Sequence, residues 1–276
     1  MDNNRRSESQ ILSRKHIIEE LYGKYYTNGQ PAQSLRIPKI IHQIWLGSPF
    51  PDKYRPWQET WKKFHPGWEY RLWTDREAEK LELINRRAYD ETKNFGAKAD
   101  ILRLEIIHKF GGLYADTDFE CLKSFEEFHR VADFYVGTIE LENGEPVLLT
   151  SLFGAIPKHP IIKKNIDKLS RPINTRDPHR LIQLHDGPLF TECFFENCLK
   201  NNLVNIAFPP DFFYPYPAGQ RFNRDPQLVK SYFTANTRAV HYWEVSWDPK
   251  RNPLEKFFIK ILPVSWRTVI KKLINY

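Results

Sequence analysis

The period of the hydrophobic positions changes several times along the chain, and each change marks an element. Ile11, Ile17, Ile18, Leu21, Tyr22 and Tyr25 recur near helical spacing, which predicts an amphipathic helix from Ile11 to Tyr26, ended by Asn28-Gly29-Gln30-Pro31. The run Lys39-Ile40-Ile41-His42-Gln43-Ile44-Trp45 predicts a buried strand, and Gly47-Ser48-Pro49-Phe50-Pro51 the loop after it. A helix follows around Pro56 to Phe64, stopped by Pro66-Gly67, and Trp68 to Trp73 alternates as a strand does. Thr74-Asp75-Arg76-Glu77 has the form of a capping box opening the next helix. A further helix from about Gly96 to Phe110 closes at Gly111-Gly112, and Leu113-Tyr114-Ala115 is a short strand. Strands alternating with helices predict an α/β domain with a largely parallel central sheet, whose ligands gather at the carboxyl ends of the strands.

Downstream, Asp133 to Ile139 and Val147 to Phe153 read as strands joined by a turn at Asn143-Gly144. Helices are predicted near Pro160 to Leu169 and Pro188 to Cys198, strands at Leu203 to Phe208 and Arg238 to Trp243. No internal repeat is present. The expected organisation is a helical extension over 1–35, a catalytic-type α/β domain over 36–250 and a basic amphipathic segment over 251–276. From Asn252 onward, apolar positions including Phe257, Ile261, Trp266 and Ile270 alternate with lysines and arginines, a pattern suited to an anionic membrane surface or to a solvated face of a packed helix.

Composition narrows the picture. The 276 residues, 41% hydrophobic, suffice for one large core. A net charge of +7 suits anionic partners such as nucleotide diphosphates but does not choose among them. No concentrated Lys/Arg block or recognised module supports nucleic-acid binding. Cys121, Cys193 and Cys198 form no CxxC pair, which argues against zinc and for a reducing compartment. With a polar N-terminus and no apolar run of roughly 20 residues, the expected location is cytoplasmic, with peripheral membrane contact through 252–276 as the variant of that expectation.

The candidate chemistry sits at Asp116-Thr117-Asp118, delivered by the strand before it. In an extended segment residues two apart face one side, so both carboxylates can address one hard divalent cation, Mn²⁺ or Mg²⁺, together with a diphosphate. Two acids at this spacing are also common in solvated turns, so the framework around them decides. Asp100 and Arg103, three apart on the preceding helix, share a face and can present a carboxylate and a guanidinium to one polar ligand, or pair with each other.

Four ordered motifs carry a resemblance: Pro38 to Trp45, Leu72-Trp73-Thr74-Asp75, Ala97 to Arg103, and Gly111-Gly112-Leu113-Tyr114-Ala115-Asp116-Thr117-Asp118. Together they resemble glycosyltransferase family 32, the DxD family of yeast α-1,6-mannosyltransferases and bacterial capsular enzymes, and more distantly the large clostridial glucosylating toxins. The resemblance implies a GT-A nucleotide-diphospho-sugar transferase fold and a retaining transfer of a hexose to a glycan or lipid-linked acceptor in surface polysaccharide synthesis. It implies that Trp45 stacks on the donor base, that Asp100 and Arg103 bind the donor sugar, that Asp116 holds the ribose and a metal-bound water, and that Asp118 ligates the metal. His241, Ser246 and Trp247 match a C-terminal lid or metal-contacting segment, His241 and Ser246 toward the metal and Trp247 toward the donor. UDP-hexose has a slight preference over GDP-mannose, and Gly187-Pro188 with the aromatic loop Phe212 to Tyr216 is expected to border the acceptor cleft. A double displacement needs a carboxylate nucleophile under the sugar. The sequence marks none, so a same-face attack is expected, with Asp100, Arg103 and Asp118 as its catalytic set. A catalytically silent carbohydrate-binding protein is the alternative, and it leaves both acids and the Asp100/Arg103 pair without a reason.

Overall fold

The computed structural model describes residues 7–30, 32–170 and 187–244. Ser246, Trp247 and the amphipathic segment 252–276 lie outside the described residues. From the N-terminus the elements are α1 (Glu8–Tyr22), β1 (Ile40–Ile44), α2 (Arg55–Phe64), β2 (Glu69–Trp73), α3 (Asp75–Lys80), α4 (Arg86–Glu91), α5 (Phe95–Phe110), β3 (Gly112–Ala115) and β4 (Phe119–Cys121). They continue with α6 (Glu126–Val131), β5 (Phe134–Glu140), β6 (Pro146–Ala155), α7 (Pro160–Lys168), α8 (Pro188–Asn197), β7 (Asn205–Phe208), α9 (Pro210–Phe213), α10 (Pro226–Ser231) and β8 (Ala239–His241).

Six strands form one sheet in the order β2-β1-β3-β6-β5-β7. β1 runs parallel to β2 and β3, and β5 parallel to β7, while β6 runs antiparallel to both of its neighbours. This is the α/β architecture with a mostly parallel sheet that the alternating pattern predicts. The hairpin turn falls where Asn143-Gly144 places it, with Gly144 at φ 78° and the Leu141 N–H donating to Glu145 O at 3.0 Å. Strands β4 and β8 pair antiparallel as a separate two-stranded ribbon, with Phe119 opposite His241.

Alternate strand residues divide the core between the two faces of the sheet. Tyr114, Phe134 and Val136 pack with Ile101, Leu102 and Ile106 of α5 and Phe190 and Phe194 of α8. Leu113, Ala115 and Tyr135 pack on the other face with Trp61, Phe119, Phe125, Phe128, Phe208 and Phe213. Helix α1 covers the β7 edge: Ile18 and Leu21 join the first cluster, and the Tyr26 ring, in the turn after α1, meets Phe208 edge-on at 5.0 Å. An edge strand covered in this way is closed to pairing with another chain. The loop Phe212 to Tyr216 departs from expectation. Among the described residues Phe212, Phe213 and Tyr216 are wholly buried and Tyr214 nearly so, so these rings fill core.

Four buried histidines are held neutral by burial, and each has a hydrogen-bond partner that fixes its ring. His42 accepts from Trp73 Nε1 at Nδ1 and donates from Nε2 to Gly111 O; His65 accepts from the Phe125 N–H and donates to Trp61 O. His129 donates to Ile37 O and accepts from the Tyr135 hydroxyl, and His159 accepts from the Ile161 N–H. Burial pushes His42 and His129 down to about 3, and His65 and His159 down to about 4. Because the folded values lie below the unfolded one, stability is complete above about pH 6.5 and declines as pH falls toward 4. Each histidine contributes up to about 1.4 kcal/mol per pH unit over that window. Urea midpoints measured between pH 7.5 and 4.5 should fall steeply below 6.5; a flat profile would show that these rings charge freely in the folded protein.

Candidate active site

Helix α5 ends at Gly111, and the chain must turn at once into β3 beside β1. Gly112, at φ 101°, makes this possible: a Cβ there would lie 2.5 Å from Ile40 O. β3 then delivers Asp116 at its carboxyl end. The acids do not continue the strand as the spacing argument assumed. Residues 116–118 form a turn in which the Phe119 N–H donates to Asp116 O at 3.2 Å. The turn is fixed from both sides by the Asp116 N–H to Ser151 O bond (2.8 Å) and by Gln43 Nε2 donating to Asp116 O (3.1 Å). Gln43 is in turn held by the Tyr70 hydroxyl, which accepts from Gln58 Nε2.

Although the backbone reason differs, the carboxylates do converge. Asp116, Asp118 and His241 each offer one ligand atom, and the three atoms lie within 4.8 Å of one another. His241 arrives through the β4–β8 pairing, its ring stacked on Phe119 at 4.3 Å. Its Nε2 lies 3.2 and 3.1 Å from the two Asp118 oxygens, and its Nδ1 is buried with no partner among the described residues. Two carboxylates and an imidazole are hard and borderline donors that fit a divalent cation such as Mn²⁺, so this set is a candidate divalent-metal site.

Asp100 and Arg103 join the same centre. Arg103 is buried, with Nη2 2.7 Å from Asp100 Oδ1 and 3.4 Å from Asp116 Oδ1, and Nη1 donating to Thr150 Oγ1 at 3.0 Å. The pairing within the helix and the polar cluster next to the acids are therefore both real. The Tyr114 hydroxyl donates to Asp116 Oδ1 at 2.5 Å beneath the guanidinium. Burial raises the Asp116 carboxyl above the usual carboxylate range, opposed by Arg103 and reinforced by the Asp118 charge. Burial also pushes Asp118 upward, but the charge and hydrogen bond of His241 and the Glu244 N–H outweigh it, and Asp118 lies below that range. Neighbouring acids pushed apart in this way mark functional sites.

Asp100, Arg103, Tyr114, Asp116 and Asp118 line a cavity of about 480 Å³ that also takes in Trp45, Tyr54, Lys93, Phe95 and Glu244, with His241 behind Asp118. Half-buried Trp45 presents its ring at the wall, fixed by Nε1 donating to Ser48 Oγ (3.0 Å) and by the Tyr54 ring at 5.1 Å. The structure thus brings Trp45, Asp100, Arg103, Asp116, Asp118 and His241 together. Sequence reasoning missed Tyr114, Thr150 and Glu244; Tyr114 lies inside a quoted motif, Glu244 lies between the matched His241 and Ser246, and Thr150 carries no local signal.

A family model described as the glycosyltransferase sugar-binding region containing the DXD motif matches residues 51–135. An uncharacterized glycosyltransferase of Acanthamoeba polyphaga mimivirus is 33% identical over 235 residues, covering 80% of this chain and 88% of that one. The chain belongs to the DXD glycosyltransferases. Inositol phosphoceramide mannosyltransferase 3 of Schizosaccharomyces pombe is 27% identical over 179 residues, covering 63% of this chain and 48% of that one. A mannosyl phosphorylinositol ceramide synthase of Saccharomyces cerevisiae is 28% identical over 191 residues, covering 64% and 48%. The glycosyltransferase chain described here spans about half the length of these yeast relatives. The catalytic domain of alpha-toxin from Clostridium novyi superposes with a TM-score of 0.52 at 10% identity, covering 93% of this chain and 86% of that one. The PaToxG glycosyltransferase gives 0.51 at 18% identity, covering 68% and 77%. At those identities the likeness shows the fold, which is that of GT-A-type glycosyltransferase domains.

Proposed function

We propose that the chain is a retaining, metal-dependent hexosyltransferase that moves a hexose from a nucleotide-sugar donor to a glycan or lipid-linked acceptor. The observation that carries this reading is the convergence of Asp116 and Asp118, backed by His241, on a cavity walled by Trp45 and by the Asp100–Arg103 pair. Asp118 and His241 would hold the cation, with Asp116 beside them. The bound metal would supply electrostatic stabilisation of the diphosphate as it leaves. Trp45 offers a flat apolar face of the kind a nucleobase stacks on. Asp100 accepts from, and Arg103 donates to, sugar hydroxyls. Because Arg103 is already desolvated and fixed by Thr150, it meets developing negative charge without reorganising. Asp100 is already engaged by that guanidinium, and this supports same-face attack by the acceptor hydroxyl over a double displacement.

The sequence alone gives UDP-hexose a slight preference; the yeast relatives, a mannosyltransferase and a mannosyl phosphorylinositol ceramide synthase by name, favour a mannosyl donor, and we put GDP-mannose first. A panel of nucleotide sugars incubated with Mn²⁺ and no acceptor tests both levels of the reading. Release of one nucleotide, dependent on the metal, is expected. Release with no metal requirement would sink the metal-dependent mechanism, and silence together with absent donor binding would leave the carbohydrate-binding alternative.

A further inference from the structure

We propose that Arg224 and Lys53 form a positioning clamp, which grips Glu244 and so holds Asp118 in the orientation that binds the metal. The inference rests on the reading of Asp118 as a metal ligand.

Three residues of one short segment hold Asp118. His241 Nε2 meets its carboxylate, the Tyr242 N–H donates to its carbonyl at 3.0 Å, and the Glu244 N–H donates to Oδ2 at 2.7 Å. Both N–H groups can turn toward the same residue because Trp243 between them takes φ 56°, in the left-handed region that a bulky side chain rarely occupies. Such a conformation persists only where its surroundings enforce it. Here they do. Trp243 Nε1 donates to Tyr216 O at 2.7 Å, and the Tyr242 ring stacks on Trp57 at 4.5 Å. Arg224 Nη2 donates both to Tyr242 O (2.8 Å) and to Glu244 Oε1 (3.0 Å), with its guanidinium against the Tyr242 ring. Lys53, from the turn ahead of α2, takes the other oxygen of Glu244 at 2.8 Å.

Glu244 therefore lines the cavity with its charge already met by two cations from separate parts of the chain. Its service to Asp118 runs through the main-chain N–H, not the carboxylate. A single exposed ion pair is weak. Two cations on one carboxylate that anchors a strained turn act together, and removing such outer supports typically weakens metal binding by about tenfold or more.

The test titrates Mn²⁺ into the full chain and reads free Mn²⁺ by its electron paramagnetic resonance, with metal-free Tm measured alongside. Arg224→Gln and Lys53→Gln should each weaken Mn²⁺ binding several-fold and the double variant by about tenfold or more, at nearly unchanged metal-free Tm. Arg224→Lys should recover part of the loss, since one ammonium can serve Glu244 but not the forked contact to Tyr242 O as well. If Arg224→Gln fails to fold, Lys53→Gln, altered only at an exposed side chain, carries the same expectation. Wild-type affinity in the double variant, with Asp118→Asn binding no Mn²⁺, would overturn the clamp and leave the metal reading intact. Failure of the wild type to bind Mn²⁺ would overturn both.

Discussion

Asp118→Asn lowers metal-dependent nucleotide release by about three orders of magnitude, the loss expected when roughly 4 kcal/mol of charge stabilisation on the leaving diphosphate is removed. The substitution keeps the shape of the side chain and most of its hydrogen-bonding geometry, so the effect isolates charge. Metal-free stability should change little, because two consequences oppose each other. The variant loses the attraction between the Asp118 carboxylate and His241, and it relieves the repulsion that raises the Asp116 carboxyl. Mn²⁺ should raise the Tm of the wild type through binding to the folded state alone and leave the variant unmoved. Initial rates at saturating donor over an Mn²⁺ series, with Tm read on the same samples, check the prediction. Activity within tenfold of wild type would remove Asp118 from the centre of the site.

Local pattern carried most of the fold that positions this site and failed where geometry depends on distant partners. The order β1, α2, β2, α5, β3 was legible because each element has its own period and its own stop, down to Gly111-Gly112 ahead of the acids. The extended-segment argument for Asp116 and Asp118 was not sound. The chain turns there, and what brings the carboxylates to one point is the fixing of that turn by Ser151, Gln43 and Glu244. The place of His241 depends on the pairing of Phe119 with a strand near the far end of the described chain, a register that no local spacing encodes. Helices α6 and α10 are six residues each, too short to display a period, and sequence analysis passed over them. The burial of the aromatic loop was not legible because abundant rings suit a sugar cleft and a core equally; Phe212 and Phe213 lie in the cluster behind the sheet.

Arg103→Met should cost both stability and turnover, because it removes a buried guanidinium that sits between two carboxylates. Met approximates the length of the stem and removes the Nη2 contacts to Asp100 and Asp116 at 2.7 and 3.4 Å and the Nη1 hydrogen bond to Thr150 Oγ1. Breaking one side of a buried ion pair costs about 3–5 kcal/mol. That corresponds to a fall in Tm of roughly 10 °C for a chain of this size. Turnover should fall by about 10²–10³-fold, since the lost group is preorganised for charge developing in the transition state. The loss differs in kind from that at Asp118: Mn²⁺ binding should survive, because none of the three candidate ligand side chains is altered. Arg103→Lys discriminates further. A single ammonium restores one positive charge but cannot reach Asp100, Asp116 and Thr150 together, so stability should recover more than activity. Thermal melts and kcat at saturating Mn²⁺ on the same preparations separate the two. If Arg103→Lys recovers both equally, Arg103 serves only as a counter-charge, and the forked geometry that ties α5 to the Asp116 turn has no part in the chemistry.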